Sequence, residues 1–205
     1  MSGPTAAAAR AGRLAEGVAA AGLDLLFVSH LVNVRYLTGF TGTNGACLVG
    51  PQTRAFYTDF RYTERAEAEV GEGWSRPPAE RELLPQVARE LRGRVGFEDA
   101  HLSVRERRKL GEAVGEGVEL VPAGDLVEEL RAVKDAGEIE RIAAAAELAD
   151  DVYRWALERG LAGRTEVEVA RDAVARIREL GAEPSFPPIV AAGDIGQCFG
   201  GPAAA

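Results

Sequence analysis

Short apolar runs alternate with stretches of helical period over the first 121 residues, and that alternation limits what the chain can become. Residues 5–21 place Ala with Arg, Leu and Val at helical spacing, and Gly22 supplies a C-terminal stop. Asp24 to Ser29 is a short apolar run of the buried-strand type. Ala46 to Gly50 and Arg54 to Thr58 read as two strands joined around Pro51-Gln52-Thr53, a hairpin signal. Helical spacing returns at residues 60–70 and again at 79–92. A strand at Arg94 to Glu98, a helix over 103–114 and a strand at Val118 to Val121 complete the series. Strands separated by helices of this length predict an α/β layer. The hairpin makes its sheet mixed rather than purely parallel.

After a short helix over Asp125 to Val133, the chain changes character at Lys134-Asp135-Ala136-Gly137. Beyond it, Ile139, Ile142, Ala146, Ala149, Tyr153 and Ala156 make one apolar stripe at helical steps. Leu148, Val152 and Trp155 flank the stripe, so a wide buried face is expected. Thr165 and Glu168 form a capping box that opens a second helix. Its buried stripe is expected at Val167, Ala170, Val174 and Ile177, and Gly181 ends it. Phe186 to Ala192 reads as a strand. Gly200 to Ala205 has no packing pattern and is expected to be disordered.

The net charge of −8 argues against nucleic acid and anionic membranes as partners, since both need a positive footprint. The one basic run, Arg105 with Arg107, Arg108 and Lys109, interrupts a helical pattern and reads as a solvated face. The longest strongly apolar run, Leu25 to Val28, is too short to span a bilayer. Arg10, Arg13 and Glu16 break the Ala-rich start, which is not of signal-peptide type. Cys47 and Cys198 stand far apart in no paired motif, so a disulfide framework is not expected and the cytoplasm is the default.

Four strings carry a family resemblance: Asn33-Val34-Arg35-Tyr36-Leu37-Thr38-Gly39-Phe40-Thr41-Gly42, Tyr57-Thr58-Asp59-Phe60-Arg61-Tyr62, Gly96-Phe97-Glu98 and Leu130-Arg131-Ala132-Val133-Lys134. Together they resemble the creatinase-type N-terminal domain of Xaa-Pro aminopeptidases and prolidases. The later order of pieces, Arg131 to Ile142 leading into a long helix, a second helix opened by Thr165 to Glu168, and then Pro184 to Gly193, resembles the opening of the pita-bread catalytic domain of the same family. The resemblance covers about Leu14 to Gly193. It implies a creatinase-like N-terminal α/β domain over residues 1–132. It also implies an incomplete α+β pita-bread domain, two helices and a first strand, over 133–205. Family members are metallo-exopeptidases that cleave next to proline with two divalent ions, Mn, Co or Zn.

The metal set that the resemblance implies is two Asp, one His and two Glu, from motifs that do not occur in this sequence. The match departs abruptly at Asp194. The chain is therefore expected to be truncated, as a gene fragment or a genuine short protein, and to have no cofactor and no catalytic residue of its own. His30 and His101 lie near strand ends without a Glu-x-x-His or Cys partner, so neither is expected to hold a catalytic metal. Asp150 and Asp151 are adjacent on a helix, and their side chains point about 100° apart.

Gly39, Gly42 and Gly45 resemble a phosphate loop, but a strand follows rather than a helix. Cys47 falls in an expected buried strand and should be inert, and Ser29 and Ser185 lack a nucleophile elbow. The remaining candidates are Asp59, Arg61 and Tyr62. The resemblance implies that this segment caps a strand and reaches the active-site mouth of a neighbouring subunit. A plain surface pair of Asp59 with Arg61 or Arg65 is the alternative. The expected function is that of an Xaa-Pro peptidase relative, inactive alone, acting on proline peptides and forming a homodimer through its first domain. A non-catalytic dimerisation or peptide-binding module is the second reading.

Overall fold

The structure is a computed structural model and describes residues 6–192. It divides into two compact units, Met1–Val133 and Lys134–Ala205.

The first unit runs α1 (Ala6–Ala20), β1 (Leu25–Val28), α2 (Leu31–Thr38), β2 (Gly45–Gly50) and β3 (Thr53–Thr58). A 3-10 turn (Phe60–Tyr62) leads into α3 (Thr63–Glu69), then α4 (Leu83–Ala88), β4 (Arg94–Phe97), α5 (Val104–Ala113), β5 (Glu119–Pro122) and α6 (Leu126–Ala132). The strands form one five-stranded sheet in the order β3-β2-β1-β4-β5. β3, β2 and β1 are antiparallel neighbours, whereas β1, β4 and β5 run parallel. The mixed sheet expected from the hairpin is present.

Both faces of the sheet are covered, which is why β1 reads as an unbroken apolar run. Leu26 and Val28 join Leu14, Val18, Val34 and Leu37 on one side. Leu25 and Phe27 join Val87, Leu91 and Leu110 on the other. The period of two along β1 thus feeds two cores. The parallel strands end together, so the turns after β1, β4 and β5 gather at one edge.

Two elements differ from the sequence expectation. α2 has no counterpart there, because Val32, Val34, Tyr36 and Thr38 favour strands. It holds as a helix through burial of Val34 and Leu37, the Thr38 Oγ1 bond to the Val34 carbonyl and a left-handed Gly39 cap. α4 is much shorter than the expected 79–92. Pro85 is tolerated in a first turn but would remove an N–H bond from the interior of the longer helix. Glu82 is accordingly extended.

The second unit contains α7 (Ala136–Arg159) and α8 (Glu166–Glu179). Asp135 with Glu138 and Thr165 with Glu168 form reciprocal capping boxes, the second as expected. The stripe expected to be buried on α7 is not. Ile139 is 57% exposed and Tyr153 66%. Of the stripe, Ala156 is half-buried; the other side chains turned inward are the flanking ones, with Val152 buried and Leu148 and Trp155 half-buried. On α8, Ala170, Val174 and Ile177 are half-buried, but Val167 is exposed. Periodicity marks an apolar face, but only the neighbouring helix decides which part is covered. Arg159 and Arg176 lie over the Trp155 ring, at 5.2 and 5.9 Å, and Arg159 and Arg164 both pair with Asp172 across the hairpin.

The strand expected at Phe186 to Ala192 is not formed. This segment has no ladder partner among the described residues, and Phe186 and Ile189 are exposed. A lone strand has nothing to pair its N–H and C=O groups. The expectation of disorder at 200–205 lies outside the described residues.

Candidate functional site

The end of β3 positions the first group of side chains. Asp59 sits where the strand gives way to the 3-10 turn, and its carboxylate is buried, 2% exposed. Oδ1 accepts from the Arg61 backbone N–H and from Arg61 Nε, both at 2.9 Å. Oδ2 accepts from Arg61 Nη2 at 2.8 Å and from Asn44 Nδ2. The Arg61 guanidinium is thus held along one edge while its side chain stays 61% exposed. Bonds from Arg61 and Asn44 hold the Asp59 carboxyl well below the ordinary carboxylate range, against the opposing effect of burial. Asp59 is therefore a fixed anion over the whole neutral range.

Tyr62 completes the group. Its hydroxyl hydrogen-bonds Thr43 Oγ1 at 2.6 Å, which lowers the phenol pKa. The Arg61 and Arg65 guanidinium carbons lie 5.6 and 5.8 Å from its ring centre. Phe40 meets the same ring edge-on at 5.7 Å. Gly42 is required here, because a Cβ on it would lie 2.3 Å from Phe40 Cζ and 2.9 Å from Tyr62 Cδ1. Of the two surface pairings considered for Asp59, the structure forms the one with Arg61, and Arg65 stacks on Tyr62 instead.

A second group gathers at the carboxyl ends of β1, β4 and β5. Glu98, 3% exposed, accepts from the backbone N–H groups of Ser29 and His30 at 2.7 and 2.8 Å. It also accepts from Asn33 Nδ2 at 2.7 Å. An anion there suits the positive end of α2. The same Asn33 amide donates to Glu128 Oε1 at 2.6 Å, and its Oδ1 accepts from Arg131 Nη1 at 2.8 Å. Desolvation pushes the Glu128 pKa up, but bonds from Asn33 and His101 outweigh it and the net shift is downward. His101 Nε2 lies 3.1 Å from Glu128 Oε1. The His30 and His101 rings stack at 3.6 Å, 16° from parallel. The sequence expectation put both histidines near strand ends but left them unpartnered. The parallel pairing of β1 with β4 brings them together, a relation between distant residues that no local pattern carries.

A model of the creatinase/prolidase N-terminal domain matches residues 10–133. The chain belongs to this family. Within the family it is 34% identical over 177 residues to YqhT of Bacillus subtilis (strain 168), an uncharacterized peptidase, spanning 84% of this chain and 50% of that one. It is similar in fold to the Xaa-Pro dipeptidase from Bacillus anthracis, with a TM-score of 0.77 at 28% identity over 85% of this chain and 49% of that one. The N-terminal domain of the cytoplasmic peptidase PepQ from Mycobacterium tuberculosis H37Rv superposes with a TM-score of 0.54 at 36% identity, over 60% of this chain and 98% of that domain. The chain spans about half the length of the first two relatives. The creatinase/prolidase assignment bears out the resemblance read from the Tyr36 to Phe40 and Asp59 to Tyr62 strings.

The two-ion set of the peptidases needs an imidazole, and the second unit has no histidine. Several of its described acids are engaged otherwise. Asp151 pairs with Arg154, Asp172 pairs with Arg159 and Arg164, and Glu166 accepts from the Ala192 N–H. These residues do not fit a two-ion centre. Asp150 and Asp151 are both exposed on α7. Cys47 is buried in β2, where desolvation and the charge of Glu98 raise its thiol well above the usual range. Cys198 lies outside the described residues. No helix among the described residues is long and apolar enough to cross a membrane.

Proposed function

We propose that this chain carries the N-terminal half of a metal-dependent Xaa-Pro peptidase, an aminopeptidase or a dipeptidase, and that its first unit holds the peptide rather than cleaving it. The observation that carries this reading is the clamp on Arg61: a buried carboxylate fixes one edge of an exposed guanidinium. A cation held in this way is a preorganised donor for a peptide carbonyl or carboxylate. The adjoining half-buried Tyr62 ring adds an aromatic surface beside it. The names of the relatives support the substrate class, and the cytoplasmic PepQ relative supports a cytoplasmic setting. In this reading Arg61 and Tyr62 act at the site mouth of the partner in a homodimer.

These residues alone are proposed not to hydrolyse peptides. Metallopeptidases depend on a water activated by bound metal, and the donor set for two ions (Mn, Co or Zn) is not among them. The peptide-holding role is tested by following the Arg61 Nε resonance of the full chain during titration with Ala-Pro. A saturable shift, lost in Tyr62→Ala, is expected. An unmoved resonance contradicts the reading.

A non-catalytic module is a second reading, favoured by exposed Phe60, Leu31 and Val32 on the first unit. Light scattering distinguishes the two. A dimer that withstands dilution but leaves Arg61 unmoved by the peptide supports the module.

A further inference from the structure

The cluster at the carboxyl ends of the parallel strands carries an inference that stands apart from the peptidase reading. We propose that His30, His101 and Glu128 form a binding site for one borderline divalent ion of the zinc type. Donor atoms of all three lie within 4.8 Å of one another, and no other such cluster of three occurs among the described residues. Two imidazoles and a carboxylate are the donors such ions prefer. A tetrahedral zinc ion holds its ligand atoms about 3.4 Å apart, given bonds of about 2.0–2.2 Å. From a spacing of up to 4.8 Å, the donors must approach one another by up to about 1.4 Å to grip an ion. The stacked rings must also unstack, because both lone pairs have to aim at one point.

Three observations favour the site. His30 Nδ1 is buried and has no hydrogen-bond partner among the described residues, which is rare for a buried ring nitrogen. His101 lies in the exposed turn between β4 and α5, so its ring can turn. Glu128 is already oriented by the Asn33 amide, the kind of supporting bond that ligating carboxylates have. The charged groups facing the cluster are Glu98, bonded to the His30 N–H, and Arg131, whose Nη1 is 4.0 Å from Glu128 Oε1. Two carboxylates against one guanidinium leave net negative charge, as a cation needs. The three ligands come from the turn after β1, the turn after β4 and from α6, so an ion would tie these elements together. Acid weakens binding, because an imidazolium has no lone pair to give.

The test is titration of the full chain with Co²⁺. Expected are visible absorption bands that saturate at one equivalent, displacement of Co²⁺ by Zn²⁺, and a raised melting temperature with either ion. His101→Ala and Glu128→Gln should each weaken binding by about tenfold or more, a loss of about 1.4 kcal/mol or greater. Should a variant fold poorly by circular dichroism, the unsubstituted chain still decides. It has two histidines, and Co²⁺ must shift or broaden the ring resonances of both together. Absence of saturable binding, binding unchanged in the variants, or perturbation of one ring alone overturns the proposal.

Discussion

Asp59→Ala removes the acceptor for three Arg61 nitrogens and the Asn44 amide at once. Hydrogen bonds to a charged group contribute about 1.5–3 kcal/mol, so the variant should lose about 2–3 kcal/mol in urea unfolding. The sign of the pH effect follows from the depressed carboxyl. Its contribution is complete above the unfolded carboxylate value of about 3.9 and disappears as pH falls through the lower folded value. The parent should therefore lose stability below about pH 4 more steeply than Asp59→Asn, and equal slopes would count against the clamp. Gly42→Ala should cost about 1–3 kcal/mol in thermal melts, since the new methyl must displace the Phe40 ring, itself buried. At this scale the sequence showed Asp59, Arg61 and Tyr62 but not which arginine the acid would take. That choice depends on the turn: Arg61 N–H and side chain both reach the same carboxylate only when residues 60–62 form a 3-10 turn. The His30–His101 contact was illegible for a different reason, because it arises from strand pairing.

Among the elements, local signals were read correctly where local chemistry decides. The capping box at Thr165 and the hairpin of β2 and β3 are examples. Thr165→Ala should lower the stability of the second unit by about 1 kcal/mol, checked by the helical signal on heating. Local signals failed where packing decides. α2 is a helix in spite of its β-branched content, and the covered face of α7 is set by α8 rather than by the strongest stripe. Ile139, Ile142, Tyr153 and Leu157 are left exposed on α7. Such a pair of helices has little buried apolar area to oppose opening. Amide exchange of α7 and α8 should therefore outpace that of β1 and β2 by orders of magnitude. Equal protection would contradict this picture.

For the whole molecule, the alternation of strands and helices was enough to give a mixed α/β sheet, and the two strings around Tyr36 and Asp59 were enough to give the family. The pita-bread strand at 186–192 was misplaced because a strand exists only with a partner, and a linear pattern cannot supply one. The creatinase/prolidase fold explains the buried clamp and the converging strand ends, while the functional reading depends on the metal donor set. The most direct test is hydrolysis of Ala-Pro and Ala-Pro-Ala by the purified 205-residue chain with added Mn²⁺ or Co²⁺. The reading predicts no turnover above a chelator-treated blank. Turnover that the chelator abolishes would contradict it.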